Sequence, residues 1–438
     1  MRSVAFVVAL VACLHVAAWA IWESQSSAPN ISGPLASVSY SPFEGSAHPD
    51  DPNTRVSVDK IRSDLRVLAP LTRAIRTYSS TGGVELVPPI ASEFGLKVAV
   101  GAWVDKDEKR NARELRSAVD LARKNRNVNA LVVGNETIFR GEQSADDLIR
   151  LIHQAKREVG GAVPVTTGEI WHVWIEHPEL ASAVDFIAAH VLPYWEGFSE
   201  TQAAEQAVLI YNRLRETFPG KRIVIAEFGW PSAGYNRKAA EPGRIEQATV
   251  LRNFVARAEA LGMDYNVIEA FDQPWKSFEG SVGAYWGLFD ADRQPKFSWT
   301  GIIGDNDHSK IGAIAVAVGI LASLPILAIA GATMMQALTL AVFAHVVGAW
   351  AAVVFDYWNG HYFVVGAGVA LGVGLLLLIP LIMIAMWRVD EIANVLFGRA
   401  PRRLLNGSAA PGADDDYAPK VSIHVPAYIE PPEMLKAT

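Results

Sequence analysis

The sequence predicts an α/β fold, a (β/α)8 TIM barrel followed by three transmembrane α-helices. Between residues 36 and 304, short apolar strands alternate with amphipathic helices, and eight such units in about 270 residues are the usual size of this barrel. Three apolar runs follow, each long enough to cross a bilayer. The 438 residues therefore divide into one large α/β domain and a membrane segment.

Eight candidate strands and the helices between them support the barrel. Ser57 and Ser144 can cap two of the helices, and Gly160 can end the second one. A doubly wound open sheet is the alternative, but it would need a glycine-rich phosphate loop after the first strand, and residues 40–45 do not form one. The candidate strands are Ala36–Tyr40, Ala74–Tyr78, Leu96–Gly101, Asn129–Val133, Val163–Thr167, Asp185–His190, Arg222–Ala226 and Asn266–Phe271.

Residues 1–22 form a hydrophobic leader. Val4–Ala18 is an apolar run preceded by Arg2, which fits either a secretory signal peptide or an uncleaved N-terminal anchor helix. A small-x-small cleavage site at residues 18–20 leaves both alternatives open. Either one places the following segment outside the cytoplasm. Residues 23–35, rich in Ser, Pro and Asn, are predicted to be a linker.

Residues 311–387 are predicted to contain three transmembrane helices. The runs Ile311–Ala330, Met334–Phe355 and Tyr362–Met386 contain no Asp, Glu, Lys or Arg. Basic residues follow the third run, so the positive-inside rule places the C-terminus in the cytoplasm and the barrel on the outer side of the membrane. His345 is expected to bond to a neighbouring helix rather than to relay protons. The predicted interface anchors are Tyr357, Trp358, Tyr362 and Trp387.

The composition excludes several classes of function. A formal net charge of −7 argues against a general nucleic-acid binder, which would carry a basic patch. Cys13 is the only cysteine, so disulfides within the chain and a cysteine-based metal site are excluded. We expect neither a metal nor a cofactor, and no nucleic-acid partner.

Two glutamates at strand ends carry the predicted chemistry. Glu227 lies in the segment Arg222–Ser232, directly after the seventh candidate strand. A charged residue at the end of such an apolar strand is costly unless it has a functional role. Glu136 lies just past strand four. The carboxyl ends of these strands face each other across a barrel mouth, so one group can protonate a leaving oxygen while the other attacks an anomeric carbon. The pair predicts glycosidic bond cleavage.

Aromatic residues follow nearly every predicted strand, and their flat faces suit the C–H faces of sugar rings. Any single tryptophan can equally be a core residue. Glu169, Glu269 and Asp272 can hold hydroxyl groups, and Tyr194 can bond to the nucleophile. The alternative for Glu169 and Glu269 is an ordinary ion pair with Arg76 or a lysine. The tryptophans are Trp103, Trp171, Trp174, Trp195, Trp230, Trp275 and Trp286.

The segments around both glutamates resemble a known family. Val133-Gly-Asn-Glu136 and Ala226-Glu-Phe-Gly-Trp-Pro-Ser232 are similar to the two signature motifs of glycoside hydrolase family seventeen. Three further segments, Tyr40–Phe43, Ile75–Tyr78 and Gly283–Asp290, resemble its bacterial, membrane-attached branch. The resemblance covers about residues 36–304.

This resemblance implies a retaining enzyme that acts on β-1,3-glucan, with Glu136 as acid/base and Glu227 as nucleophile. It favours transfer to a sugar acceptor over hydrolysis. The alternative is a non-catalytic glucan-binding partner of a membrane glucan synthase. Asn135 is implied to bond to the sugar 2-hydroxyl. The candidate substrate-binding residues are Asn135, Tyr40, Arg76, Tyr78, Trp103, Glu169, Trp171, Tyr194, Trp195, Trp230, Asp272 and Trp275.

Residues 388–438 are predicted to be a cytoplasmic tail. Val421–Pro432 resembles the first strand of a family two glycosyltransferase domain, whose acidic metal-binding motif would lie beyond Thr438. The chain therefore resembles a truncated member of a two-enzyme architecture. The expected partners are β-1,3-glucan, the lipid bilayer and a glucan synthase.

Overall fold

The computed structural model describes residues 2–45, 47–51 and 54–398. Its centre is a closed barrel of eight parallel strands that pair in chain order, the last with the first. All eight predicted strands are confirmed. They are β1 Val38–Ser39, β2 Ala74–Arg76, β3 Lys97–Ala102, β4 Val128–Asn135, β5 Val165–Ile170, β6 Ile187–His190, β7 Ile223–Phe228 and β8 Asp264–Val267.

The barrel strands are apolar because both faces are buried. Leu131, Val133, Ile187 and Ile225 are completely buried, as a parallel sheet covered by helices requires. The pairing register shifts near the carboxyl ends of three neighbouring strand pairs, β4–β5, β6–β7 and β7–β8. Such irregularities re-aim side chains next to functional sites. Here they lie beside the ends of the strands that carry both predicted glutamates.

Two barrel helices begin at the predicted N-caps, and one of them ends at the predicted glycine. The Ser57 and Ser144 side chains accept the backbone N–H groups of Lys60 and Asp147, and Gly160 ends its helix with a left-handed conformation. The helices outside the membrane segment are α2 Val58–Leu68, α3 Val87–Glu93, α4 Glu108–Lys124, α5 Ala145–Val159, α6 Trp171–Glu176, α7 Glu179–Ala183, α8 Pro193–Glu196, α9 Glu200–Thr217 and α10 Arg244–Leu261, with 3-10 turns at Val84–Leu86 and Pro274–Glu279.

Four helices in the described part of the chain are long and apolar enough to cross a membrane. They are α1 Arg2–Ile21, α11 His308–Ser323 with its 3-10 continuation Leu324–Ala328, α12 Met334–Gly360 and α13 Val365–Phe397. The last helix begins three residues later than the predicted run and continues past residue 386. The predicted cytoplasmic tail and glycosyltransferase start fall, from residue 399 onward, outside the described residues.

Helix α1 packs against the apolar helices that follow the barrel. Its buried valines form one apolar cluster with residues of α12 and the 3-10 turn. His15 Nδ1 lies 2.7 Å from His345 Nδ1 of α12, and Gly319 makes room for this pair, since a Cβ there would lie 2.4 Å from His345 Nδ1. The prediction that His345 bonds to a neighbouring helix is confirmed.

Residues 23–35 are attached to the barrel, which corrects their prediction as a linker. Gln25–Ser26 pairs antiparallel with Ile303–Gly304. The buried guanidinium of Arg252 donates to the carbonyl groups of Ala28 and Pro29 at 2.6 and 2.8 Å. The buried guanidinium needs hydrogen-bond acceptors, and these two carbonyl groups supply them. The segment therefore joins α1 to the barrel rigidly.

Candidate active site

The two predicted glutamates meet at the carboxyl end of the barrel. Glu227 belongs to β7, and Glu136 is the first residue after β4. One carboxylate oxygen of each, together with a ring nitrogen of His190, lies within 4.8 Å of the others. The Glu227 side chain is 4% exposed and the Glu136 side chain 19%, so the site is open from the Glu136 side.

A tight turn aims Glu136 into this site. Gly134 and Glu136 both adopt left-handed backbone conformations, with φ of 82° and 52°. A side chain at residue 134 would place its Cβ 2.4 Å from Thr137 Oγ1, so glycine is needed there. The Glu136 N–H donates to the Gly168 carbonyl at 2.7 Å, which fixes the turn to the neighbouring strand. Strained non-glycine residues of this kind cluster at functional sites.

Arg76 and His190 connect the two carboxyl groups. Arg76 Nη1 donates to Glu227 Oε1 at 3.1 Å, and its guanidinium is buried. His190 Nδ1 lies 2.7 Å from Glu136 Oε1, while its Nε2 lies 3.2 Å from Arg76 Nη1 and 3.5 Å from Glu227 Oε1. Gly168 allows this approach, because a Cβ there would lie 2.7 Å from Arg76 Nη2 and 2.8 Å from His190 Nε2.

Burial and the hydrogen bonds of Arg76 determine which forms of His190 and Glu136 are favoured. Complete burial lowers the pKa of His190 to about 4, so its imidazole is neutral at neutral pH. Arg76 can only donate, so His190 Nε2 accepts and Nδ1 carries the proton that is donated to Glu136 Oε1. Burial also raises the pKa of Glu136, against the charges of Arg76 and Arg140. The site thus combines a carboxyl group whose protonated form is favoured by burial with a second one that accepts a hydrogen bond from a guanidinium.

Asn135 and Tyr78 lie beside the pair. Arg76 Nη2 donates to Asn135 Oδ1 at 2.6 Å, which leaves the Asn135 amide N–H groups to face a ligand. The Arg76 guanidinium carbon lies 4.9 Å from the centre of the Tyr78 ring. The Tyr78 hydroxyl donates to Ser39 at 2.9 Å, and burial raises its pKa well above the usual value, so it stays protonated.

Above the carboxyl groups lies a cleft of about 1110 Å³. Its size suits several sugar rings, and its aromatic walls suit their apolar faces. The rings of Trp195 and Trp286 stack at 6.0 Å and an interplanar angle of 25° on one wall, and Arg140 lies 4.3 Å from the Trp103 ring on another. The aromatic lining consists of Tyr40, Phe43, Tyr78, Trp103, Phe139, Trp171, Trp195, Trp275, Phe278 and Trp286.

Several residues predicted to bind substrate lie behind this lining. The hydroxyl of Tyr194 donates to the Tyr235 carbonyl at 2.7 Å, so the predicted bond to Glu227 is not made. Trp230 is completely buried, and its N–H donates to the Glu241 carbonyl. Asp272 is buried in an ion pair with Lys296 at 2.5 Å. These three are corrected to framework residues, because their side chains point into the packing around the strands.

Glu169 and Glu269 also have internal partners. Glu169 is completely buried and accepts the backbone N–H of Ile138 at 2.8 Å, in the loop that follows Glu136. Burial raises its pKa to about 7. Glu269 pairs with Lys276 at 2.9 Å, which confirms the ion-pair alternative for this residue. Tyr40 lines the cleft with its ring, but its hydroxyl donates to Asp64 at 3.1 Å.

His190 was not predicted as a site residue. The sequence places it at the end of a buried strand, where a lone histidine is usually a core residue. The available signal was its position, because the carboxyl end of β6 lies beside that of β7 and a fully buried polar side chain there needs partners. The structure provides both glutamates and Arg76 as those partners.

The donor set of Glu136, His190 and Glu227 has the composition of a metal site. The Arg76 guanidinium lies 3.1 Å from Glu227 Oε1, so it already supplies a positive charge to the cluster. A second cation beside it would be repelled at this distance. The arrangement favours proton transfer and nucleophilic attack by carboxyl groups over metal binding.

Comparison with known proteins identifies the barrel. Residues 37–287, more than half of the chain, match the profile of the BtgE/BtgC glycoside hydrolase domain. The chain belongs to this family. Because the match covers all eight barrel strands and both glutamates, the barrel is a glycoside hydrolase domain of the BtgE/BtgC type.

Fungal relatives of this hydrolase domain include glucan 1,3-beta-glucosidases. The protein of Schizosaccharomyces pombe is 27% identical over an alignment of 322 residues, and the match covers 67% of this chain and 96% of the relative. That of Arthroderma benhamiae is 28% identical over 54% of this chain and 82% of the relative. The glucan endo-1,3-beta-glucosidase btgC of Emericella nidulans is 26% identical, covering 59% of this chain and 44% of the relative.

A solved structure with the same fold is the glycoside hydrolase family 17 beta-1,3-glucanosyltransferase of Rhizomucor miehei. It is 26% identical, with a TM-score of 0.54, and the match covers 60% of this chain and 95% of the Rhizomucor miehei chain. An active-site mutant of that enzyme, in complex with laminaritriose, has the same TM-score. The similarity to this hydrolase barrel covers the α/β domain, while the membrane helices extend beyond it.

Proposed function

We propose that this protein is a retaining β-1,3-glucan glycosidase that also acts as a glucanosyltransferase. The observation that carries the proposal is the approach of the Glu136 and Glu227 carboxylate oxygens to within 4.8 Å. Retaining glycosidases place their carboxyl groups about 5–5.5 Å apart, whereas inverting ones need about 6.5–9.5 Å to admit a water molecule. The β-1,3-glucan specificity in the names of the relatives supports the choice of substrate.

In the first step, Glu227 is the nucleophile. A carboxylate oxygen of Glu227 attacks the anomeric carbon while the bond to the leaving glycosidic oxygen breaks. Glu136 donates its proton to that oxygen, so the leaving sugar departs as a neutral alcohol. The Arg76 guanidinium donates to Glu227 Oε1, and burial raises the pKa of Glu136, which favours its protonated form. The products are a covalent glycosyl-enzyme and a shortened glucan.

In the second step, Glu136 is the base. Its carboxylate removes a proton from water or from a sugar hydroxyl, which attacks the anomeric carbon and releases Glu227. Water gives hydrolysis, and a sugar hydroxyl gives transfer. The long aromatic cleft supports transfer, because an acceptor held on stacked rings such as Trp195 and Trp286 competes with water through its local concentration.

The residues around the pair would hold the sugar. The free amide N–H groups of Asn135 can bond to the 2-hydroxyl, a contact that strengthens in the transition state of such reactions. Tyr78, Trp103, Trp171, Trp195 and Trp275 line the cleft and can stack on successive rings. Arg76 acts from beneath, through Glu227 and Asn135.

We further propose that the enzyme is a multi-pass protein of the inner membrane with its barrel in the periplasm. The apolar helices α11, α12 and α13 would cross the lipid bilayer, and α1 would remain as a fourth span because it is packed into their bundle. Basic residues after α13 support a cytoplasmic C-terminus. This placement resembles the bacterial, membrane-attached branch and would bring the enzyme to the outlet of a glucan synthase.

The direct test is product analysis with a defined β-1,3-gluco-oligosaccharide and purified full-length protein in detergent. We expect products both shorter and longer than the substrate. Only shorter products would contradict transfer, and an unchanged substrate would contradict the whole proposal. Glu227→Gln is the control, since it removes the nucleophile from a side chain of nearly the same shape and should produce neither set of products.

A further inference from the structure

A loop between two membrane helices contacts the barrel beside the candidate active site. Residues 361–364 connect α12 to α13. Tyr362 in this loop was predicted as an interface anchor, but its hydroxyl donates to Asp272 Oδ2 at 2.9 Å and accepts the Ala291 N–H at 2.9 Å. Its own N–H donates to the Tyr285 hydroxyl at 2.9 Å. Tyr362 therefore makes three hydrogen bonds to the barrel.

The ring of Tyr362 makes a further contact with the same region. It stacks on the Tyr285 ring with centroids 5.2 Å apart and planes 14° apart. The neighbouring His361 ring lies 5.5 Å from the Tyr285 ring. Aromatic pairs in this geometry contribute beyond the apolar area that they bury. The loop thus holds Tyr285 through both its ring and its hydroxyl.

The contacted residues flank Trp286, which forms part of the cleft wall. On one side is Tyr285, which Tyr362 covers. On the other is Gly287, whose N–H donates to Asp272 Oδ1 at 2.9 Å, while the second oxygen of Asp272 accepts the Tyr362 hydroxyl. The Trp286 backbone is therefore held between two residues that are each linked to the membrane loop.

Asp272 makes this connection rigid. It is buried and pairs with Lys296 at 2.5 Å, and Lys296 also donates to Ser232. A buried carboxylate needs every one of these donors, so loss of the Tyr362 hydroxyl leaves one of its oxygens poorly satisfied. Glycine at residue 287 permits this close approach, because a Cβ there would lie 2.2 Å from the Asp272 nitrogen. A change at Tyr362 is thus transmitted to the backbone on both sides of Trp286.

We propose that Tyr362 is a positioning residue through which the membrane segment fixes the Trp286 wall of the glucan-binding cleft. The inference rests on the proposed function for its substrate. Glu136 and Glu227 lie on other strands and are held by Arg76 and His190. Loosening the wall therefore weakens binding of the sugar chain and leaves the chemical groups in place.

The test compares full-length wild type, Tyr362→Phe and Tyr362→Ala in detergent or nanodiscs, with laminari-oligosaccharides as substrate. We expect Tyr362→Ala to raise KM about threefold or more while kcat changes less, and Tyr362→Phe to have a smaller effect in the same direction. Hydrogen exchange of the amides in 283–289 should be faster in both variants without substrate. Tyr357→Phe is the control, because it removes a hydroxyl from an exposed ring beside the same loop, and it should leave all values unchanged.

Each outcome has a separate meaning. Unchanged KM and unchanged hydrogen exchange at 283–289 in both Tyr362→Phe and Tyr362→Ala would overturn the inference. The proposed function would still stand in that case, provided that the wild type turns over the substrate. An equal fall of kcat and kcat/KM would also overturn it, because that pattern places the effect on the chemical step. If Tyr362→Ala does not fold, Tyr362→Phe decides the question. A wild type that leaves laminari-oligosaccharides intact would overturn the proposed function, and the positioning role with it.

Discussion

His190 Nδ1 lies 2.7 Å from Glu136 Oε1, and this contact joins the glutamate after β4 to a histidine that also touches the partner of Glu227. Because His190 is buried and neutral, it donates one hydrogen bond without adding a positive charge. A cation at this place would favour the ionised form of Glu136. The neutral ring instead orients the carboxyl group without opposing its protonated form.

The first prediction separates the two glutamates. Glu136→Ala should lower turnover of β-1,3-glucan by about 10²–10⁴-fold, because the leaving oxygen is no longer protonated. With a dinitrophenyl leaving group, which departs without a proton, the same variant should retain the first step, and added azide should give a β-glycosyl azide. Glu227→Gln should lose activity towards both substrates. Equal losses on both substrates in Glu136→Ala would contradict its role as the acid.

The second prediction concerns pH. Burial raises the pKa of Glu136 above its usual value, and Arg140 acts against this shift. The protonated acid is lost as pH rises through that pKa, so kcat/KM should fall on the alkaline side. In Arg140→Gln the carboxylate loses a stabilising charge, its pKa rises further, and the alkaline limb should move to higher pH. Arg150→Gln, at an exposed arginine, should leave the profile unchanged. A limb that moves to lower pH in Arg140→Gln would contradict this account.

The third prediction concerns Gly168. A Cβ at this position would lie within 2.8 Å of both Arg76 Nη2 and His190 Nε2, so Gly168→Ala should displace the groups that hold the carboxyl pair. We expect a fall in kcat/KM of about tenfold or more, since small displacements of catalytic groups are costly. Gly304→Ala is the matched control, because a Cβ there would meet Glu23 at an ordinary 3.4 Å. Wild-type kinetics in Gly168→Ala would show that this geometry is not needed.

The fourth prediction concerns the leader. His15 bonds to His345, and the valines of α1 are buried in the bundle, so the mature protein should keep residues 1–20. Intact-mass measurement of membrane-purified protein tests this, and a mass that begins after Ala20 would contradict it. His15→Leu should lower the thermal stability in detergent by the equivalent of about 0.6–1.7 kcal/mol. Phe6→Leu, at an exposed position on α1, should not.

Much of the fold could be predicted because its signals are local. Apolar runs give the eight strands, serines and glycines give the helix ends, and strand ends give Glu136 and Glu227. The direction of a side chain after a strand end is not local. Tyr194, Trp230 and Asp272 follow strands as cleft residues do, but packing turns them inward.

The remaining site features depend on contacts between distant segments. The sequence pattern around His190 is typical of a core residue, and only the contacts with Glu136 and Glu227 show its place in the site. The pattern around Tyr362 is typical of an interface anchor, and only its bond to Asp272 shows that it contacts the barrel. The segment 23–35 has the composition of a linker, and its attachment depends on Arg252, more than 200 residues away in the chain. Sequence patterns do not contain these distances.

The central claim is that Glu136 and Glu227 act as a retaining pair on β-1,3-glucan. Proton NMR of the reducing-end anomer formed in the first minutes of reaction with a laminari-oligosaccharide tests it most directly. The carboxylate oxygens within 4.8 Å of each other predict that the β-anomer appears first and mutarotates later. Initial formation of the α-anomer would mean inversion, and would contradict both the covalent intermediate on Glu227 and the transfer reaction that depends on it.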